Sequence, residues 1–138
     1  MAAGVLPESF SSINNKGAFI KMTLNVAFSC NENYFKHAMV SILSLIDNNK
    51  DFDSIHIYLI CDNVSVESKN TLCQLIESSQ TEITLIDLEE IKNKIHTDGE
   101  FPVIAFGRLF LGEFVPDDDR IIYLDCDSVV NGSFMPLI

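Results

Sequence analysis

The sequence predicts an α/β fold in which a mainly parallel sheet carries helices on both faces. Two observations carry this. Short apolar runs of strand length alternate with stretches whose apolar residues recur at helical spacing, the pattern of strand–helix–strand units. The composition also suits a single globular domain, with 138 residues, 47% hydrophobic and 21% charged. In such a sheet the ligand crevice lies beyond the carboxyl ends of the strands, so the loops after each strand are the places to look for function.

Residues 1–21 are aperiodic and rich in Ser, Asn and Gly, and read as a loose leader before a domain at 22–138. Leu24–Ser29 is a buried strand, followed by the polar loop Cys30-Asn31-Glu32-Asn33. Phe35, Ala38, Met39, Ile42, Leu43 and Ile46 lie on one helical face, and Asp47-Asn48-Asn49 stops that helix. Ser54–Cys61 is the next strand, and Ser65 can cap a helix carrying Val66, Leu72, Leu75 and Ile76. Thr81–Leu88 is a third strand, and the segment from there to Ile95 has no clear type. A helix is expected over Phe101–Phe114, a turn at Pro116-Asp117-Asp118-Asp119, and a fourth strand over Arg120–Leu124 that runs into Asp125-Cys126-Asp127.

Composition narrows the partners. Nine basic against twenty acidic side chains give a net charge of -11. That field repels phosphate backbones and anionic lipid, which argues against nucleic-acid or membrane-surface binding. No window approaches the ~20 apolar residues of a membrane span. Cys30, Cys61, Cys73 and Cys126 show neither C-x-x-C nor zinc-finger spacing, and read as reduced, mostly buried thiols of a cytoplasmic protein.

Three constellations can carry chemistry. In an extended backbone Asp125 and Asp127 point to the same side while Cys126 faces away, and two hard oxygen donors suit manganese or magnesium. Asp51-Phe52-Asp53 and Asp117-Asp118-Asp119 share the spacing, but they precede strands in polar turns and read as solvated turn acids. In Ser29-Cys30-Asn31-Glu32-Asn33-Tyr34, amide side chains could bond a base edge and a ribose, with the Tyr ring stacked on the base; an Asn before a helix equally serves as an N-cap. Arg108, one of two arginines, either lays its stem on a helix with its head in water or directs its guanidinium at carboxylates or diphosphate. His37, His56 and His96 have no metal-ligand spacing, and His56 reads as a sheet residue. Both G-x-G-x-x-G and G-x-x-x-x-G-K-[ST] are absent from the sequence.

Together, Val26-Ala27-Phe28-Ser29 with Asn33-Tyr34, the helix Ala38–Leu45, Gly107–Phe114 and Asp119–Val130 resemble the family 8 retaining glycosyltransferases. These include the bacterial lipopolysaccharide galactosyl- and glucosyltransferases and the glycogenin group. The resemblance implies a Rossmann-like GT-A fold that binds UDP-glucose or UDP-galactose and passes the hexose, with retention, to a saccharide acceptor. It implies Ser29, Asn31 and Asn33 on uracil and ribose, Tyr34 against the base, and Arg108 near the diphosphate, with Asp125 and Cys126 also on the donor side. Asp125 and Asp127 would ligate the divalent metal, manganese before magnesium. Position 31 is Asn where relatives commonly carry Asp. Family members also continue beyond the counterpart of Ile138 with a His ligand and a carboxylate or amide near the reacting carbon. The resemblance therefore implies the front, donor-binding part of an enzyme, without catalytic residues of its own and inactive alone. Two other readings compete. Asp125-Cys126-Asp127-Ser128-Val129 also fits the D-x-D-x-[TV] motif of haloacid-dehalogenase-type phosphohydrolases, and the chain could be a noncatalytic nucleotide- or metal-binding module.

Overall fold

The computed structural model describes residues 21–96, 99, 102–115 and 120–138. All of the proposed leader except Lys21, and the turn acids Asp117–Asp119, lie outside the described residues. The strands are β1 (Thr23–Asn31), β2 (Ser54–Asp62), β3 (Thr81–Asp87) and β4 (Ile122–Tyr123). They form one sheet in the order β3-β2-β1-β4, every neighbouring pair parallel. Helices α1 (Phe35–Asn48) and α2 (Val66–Ile76) make the first two crossovers, and α3 (Leu88–Lys92) with a 3-10 helix (Val103–Glu113) lies between β3 and β4.

Both faces of the two central strands are covered, which is why β1 is buried from Leu24 to Cys30 and reads as an apolar run broken only by Asn25 and Ser29. Alternate residues divide between two cores. Val26, Phe28, Ile57 and Leu59 pack beneath Phe35, Ala38, Ile42 and Leu45 of α1 and Leu72 and Ile76 of α2. Ala27, Tyr58, Ile60 and Ile86 face Leu88 and Ile91 of α3 and Leu111 of the 3-10 helix.

The caps follow from side-chain chemistry. Asn63 takes the left-handed turn (φ 50) after β2, a conformation Asn tolerates, and Ser65 then caps α2 by accepting from the Ser68 amide. Asn49 ends α1 fully buried. Its Nδ2 donates to the Leu45 carbonyl at 2.9 Å, and its Oδ1 accepts from the Phe134 amide at 2.7 Å. The helix end is thereby tied to the last residues of the chain.

Several expectations are corrected. Cys30 and Asn31 belong to β1 rather than to a loop, and Leu88 opens α3 rather than ending β3. Described β4 pairing covers only Ile122 and Tyr123, with the Leu124 amide adding one bond to the Ala27 carbonyl at 2.9 Å. The expected helix before it is of the 3-10 type and lies close on the sheet, because Gly107 leaves no Cβ there. A Cβ at Gly107 would come within 3.3 Å of two Ile60 atoms. Only Cys30 and Cys61 are buried; Cys73 is exposed and Cys126 half-buried. Cys73 adjoins the buried Leu72, but one residue on a helix is a turn of about 100°, enough to carry it to water. Among the described residues no helix is long and apolar enough to cross a membrane.

Candidate functional site at the carboxyl edge of the sheet

Parallel strands bring the ends of β1 and β4 together, and a cleft of about 370 Å³ opens over them. On β1, Ser29 and Asn31 lie two residues apart and so project to one side. Asn31 ends the strand, and its Oδ1 accepts from the Tyr34 amide at 3.1 Å, starting the short 3-10 turn Glu32–Tyr34 that leads into α1. The cap thus occupies one lone pair of the carbonyl proposed to read uracil, leaving the second lone pair and the Nδ2 donor. The Tyr34 ring is 50% exposed at the cleft and leans on His37.

Tyr123 of β4 forms the floor. Its hydroxyl shares a 2.6 Å hydrogen bond with Ser29 Oγ, and partial burial raises its phenol pKa. Arg108, set on the 3-10 helix, holds its guanidinium carbon 4.3 Å from the centre of the Tyr123 ring. Its Nε donates to the Ala105 carbonyl at 3.0 Å, and its Nη2 lies 3.7 Å from Asp125 Oδ1. Both sequence readings of Arg108 find support: it bonds its own helix with an exposed head, and that head lies near a carboxylate. Both partners are largely exposed, so the pair contributes little to stability and the Arg remains available to an anion.

Asp125-Cys126-Asp127 is not extended as the sequence suggested. The Ser128 amide and hydroxyl both donate to the Asp125 carbonyl, at 3.1 and 2.7 Å, and close a turn. Ser128 Oγ also shares a 3.1 Å bond with Ser41 of α1, which anchors that turn to the helix. Asp125 and Asp127 nevertheless line the same cleft, while Cys126 also packs against the α1-side core. Burial, then the Asp127 charge, raises the Cys126 thiol pKa.

The structure thus gathers Ser29, Asn31, Tyr34, Arg108, Asp125, Cys126 and Asp127. Asn33 is exposed on the 3-10 turn and does not line the cleft. Nothing in the pattern singled out Tyr123, which lines the same cleft as Asp125. His56 is a sheet residue, stacked on Tyr58 and bonded to Thr84 at 2.8 Å. Asp51 and Asp53 sit exposed in the turn before β2, where Asp53 accepts from the Met22 amide at 2.7 Å and Asp51 from the Ser133 hydroxyl. Among the described residues no group of three or more His, Cys, Asp or Glu could hold a metal. Two carboxylates, hard oxygen donors, are what this cleft offers a divalent ion.

The model of a family described as glycosyl transferase family 8 matches residues 25–138. Over 119 residues the chain is 34% identical to a lipopolysaccharide 1,2-glucosyltransferase of Escherichia coli, a match covering 84% of this chain and 34% of that protein. A putative glycosyltransferase of Haemophilus influenzae is 24% identical over 117 residues, covering 83% and 35%. The chain therefore spans about a third of the length of these relatives. Among solved structures, the galactosyltransferase LgtC, in complex with donor and acceptor sugar analogs, superposes with a TM-score of 0.67 at 23% identity, covering 83% of this chain and 41% of that one. The bifunctional glycosyltransferase WbbM superposes at 0.71 and 22% identity, covering 96% and 23%. At these identities the likeness is one of fold.

Proposed function

Because this chain belongs to glycosyltransferase family 8, we propose that it is the donor-binding part of a retaining hexosyltransferase. In this reading it holds a uridine diphosphate sugar whose hexose passes to a hydroxyl of a saccharide acceptor. The observation that carries the reading is the convergence, in one cleft at the carboxyl edge of a parallel sheet, of Asp125, Asp127, Arg108 and the exposed Tyr34 ring. Two E. coli relatives are 1,2-glucosyltransferases of lipopolysaccharide by name, which favours glucose as the hexose and a lipopolysaccharide-type saccharide as the acceptor.

The residues divide the donor between them. Tyr34 offers a ring face to the base, and Asn31 offers its Nδ2 donor and its remaining carbonyl lone pair to the uracil edge. Asn33, outside the cleft lining, would reach the ribose only from the rim. Ser29 acts mainly through Tyr123, fixing the ring over which Arg108 lies, and Arg108 can swing from Asp125 to diphosphate oxygens. Asp125 and Asp127 would hold manganese or magnesium, with the backbone of Cys126 between them. When bound, such an ion offsets the negative charge that develops on the departing diphosphate. No cleft group is assigned to the anomeric carbon, so the activity expected of this chain by itself is donor binding. The family match leaves the phosphohydrolase reading of Asp125 and Asp127 without support.

Calorimetric titration of uridine diphosphate, with and without manganese, tests the proposal on the parent chain and on an Asp125→Ala/Asp127→Ala variant. Binding that needs the metal and is lost in the variant supports it. Equal binding in the variant, or in the absence of metal, contradicts it.

A further inference from the structure

We propose that Glu32, which takes no part in lining the cleft, is a positioning residue that holds the base-binding segment Asn31–Tyr34 in place from α2. This rests on the nucleotide reading of the cleft. Glu32 lies between Asn31 and Tyr34, but its side chain turns toward the start of α2. One carboxylate oxygen accepts from the Ser65 amide at 2.8 Å, and the other from the Ser65 and Ser68 hydroxyls at 3.0 and 2.7 Å. These bonds, the one from the Ser65 amide foremost, hold the Glu32 carboxyl below the ordinary carboxylate range.

The arrangement completes a helix cap across the fold. In a capping box, the residue three positions after the cap is Glu or Gln and reaches back to the cap residue's own amide. Here Ser65 caps α2 and its hydroxyl accepts from the Ser68 amide at 3.1 Å, yet position 68 is Ser, too short to return the bond. Glu32, 33 residues earlier in the chain, supplies the missing carboxylate. The link works in both directions. The helix start gains an acceptor for an otherwise unpaired amide, and the three-residue turn that carries Tyr34 gains an anchor to an 11-residue helix. On the cleft side Asn31 closes the same turn through the Tyr34 amide, so the segment is tied within itself and, at Glu32, to α2. A ring preset against the base loses less freedom on binding.

The test measures uridine diphosphate affinity with manganese and the urea midpoint on the parent chain and on Glu32→Ala, Glu32→Gln and Glu32→Ala/Ser68→Glu. Glu32→Ala should weaken binding about tenfold, the scale of lost preorganisation at one contact, and Glu32→Gln should weaken it less because the amide oxygen still accepts. Ser68→Glu rebuilds the cap within α2 without restoring the anchor, so it should recover the midpoint and leave the affinity low. A Tyr34→Ala background gives an independent reading, since there the Glu32→Ala penalty on affinity should largely disappear. Unchanged affinity in Glu32→Ala, recovery of affinity by Ser68→Glu, or a full penalty in the Tyr34→Ala background each overturns the inference. A parent chain that binds no uridine diphosphate overturns the nucleotide reading together with it.

Discussion

At the amino end of the sheet a cavity of about 700 Å³ is lined by His56, Tyr58, Glu82 and Thr84; at the carboxyl end the cleft under Arg108 measures about 370 Å³. The larger space also carries charged groups, Lys21, Glu82 and Arg120, but its imidazole is already engaged. His56 is bonded to Thr84 at 2.8 Å and stacked on Tyr58 with ring centres 4.3 Å apart, so its capacity is spent within the sheet. In the smaller cleft two carboxylates, a guanidinium and a half-exposed ring keep bonding capacity to spare. Strand direction explains the contrast. With every pairing parallel, the segments that leave the strands meet at one edge, and there Asn31 and Asp125, distant in sequence, converge.

Substitutions at the two ends should therefore separate binding from stability. The largest effect is expected at Arg108: Arg108→Ala should weaken uridine diphosphate binding by about 2 kcal/mol, the scale of a charge-assisted bond, with little change in the urea midpoint because the side chain is exposed. His56→Ala is its counterpart, expected to lower stability by about 1 kcal/mol while leaving calorimetric affinity unchanged. A binding loss there would break the contrast between the ends. Gly107→Ala should cost about 1 kcal/mol in denaturation, since its Cβ would meet Ile60 at 3.3 Å, and should weaken binding severalfold by shifting the neighbouring Arg108. Tyr123→Phe removes the 2.6 Å bond to Ser29 but keeps the ring beneath Arg108, so roughly 1 kcal/mol of stability should go, with a smaller loss of affinity than in Arg108→Ala.

The smallest perturbation is chemical. Thiol alkylation followed by mass spectrometry should label Cys73 first and Cys126 slowly, and uridine diphosphate with manganese should slow Cys126 further because it lines the cleft. Cys30 and Cys61 should stay unlabelled in the folded chain. Burial raises both thiols, Cys61 from 9.0 to about 11, so their contribution to stability is full below the unfolded value. It is lost as pH rises through the folded one, and the urea midpoint should fall at strongly alkaline pH.

The parts of the fold readable from sequence are those set by local pattern. Leu24–Ser29 and Ser54–Cys61 read as strands because burial on both faces demands largely apolar runs, and Ser65 reads as a cap from its place before a helical face. The carboxylates at the end of the last apolar run were legible for the same reason. What escaped depends on partners far away in the chain. The close seating of the 3-10 helix needs Ile60 opposite Gly107, and the turn at Asp125 needs the Ser128 hydroxyl, which also meets Ser41. Tyr123 gains its role from Ser29, 94 residues away, and Glu32 gains its own from Ser65 and Ser68. No periodicity within a segment carries such pairings.

In the proposed function the carboxyl edge, and not the roomier amino end, receives a metal-bound nucleotide. Manganese with uridine diphosphate, titrated into the isotope-labelled chain, reads this directly, because the paramagnetic ion broadens nearby amide resonances. Asn31, Tyr34 and Asp125–Ser128 should broaden first while Thr23, His56 and Glu82 stay sharp; broadening at the amino end, or none at Asp125–Ser128, would place the nucleotide elsewhere.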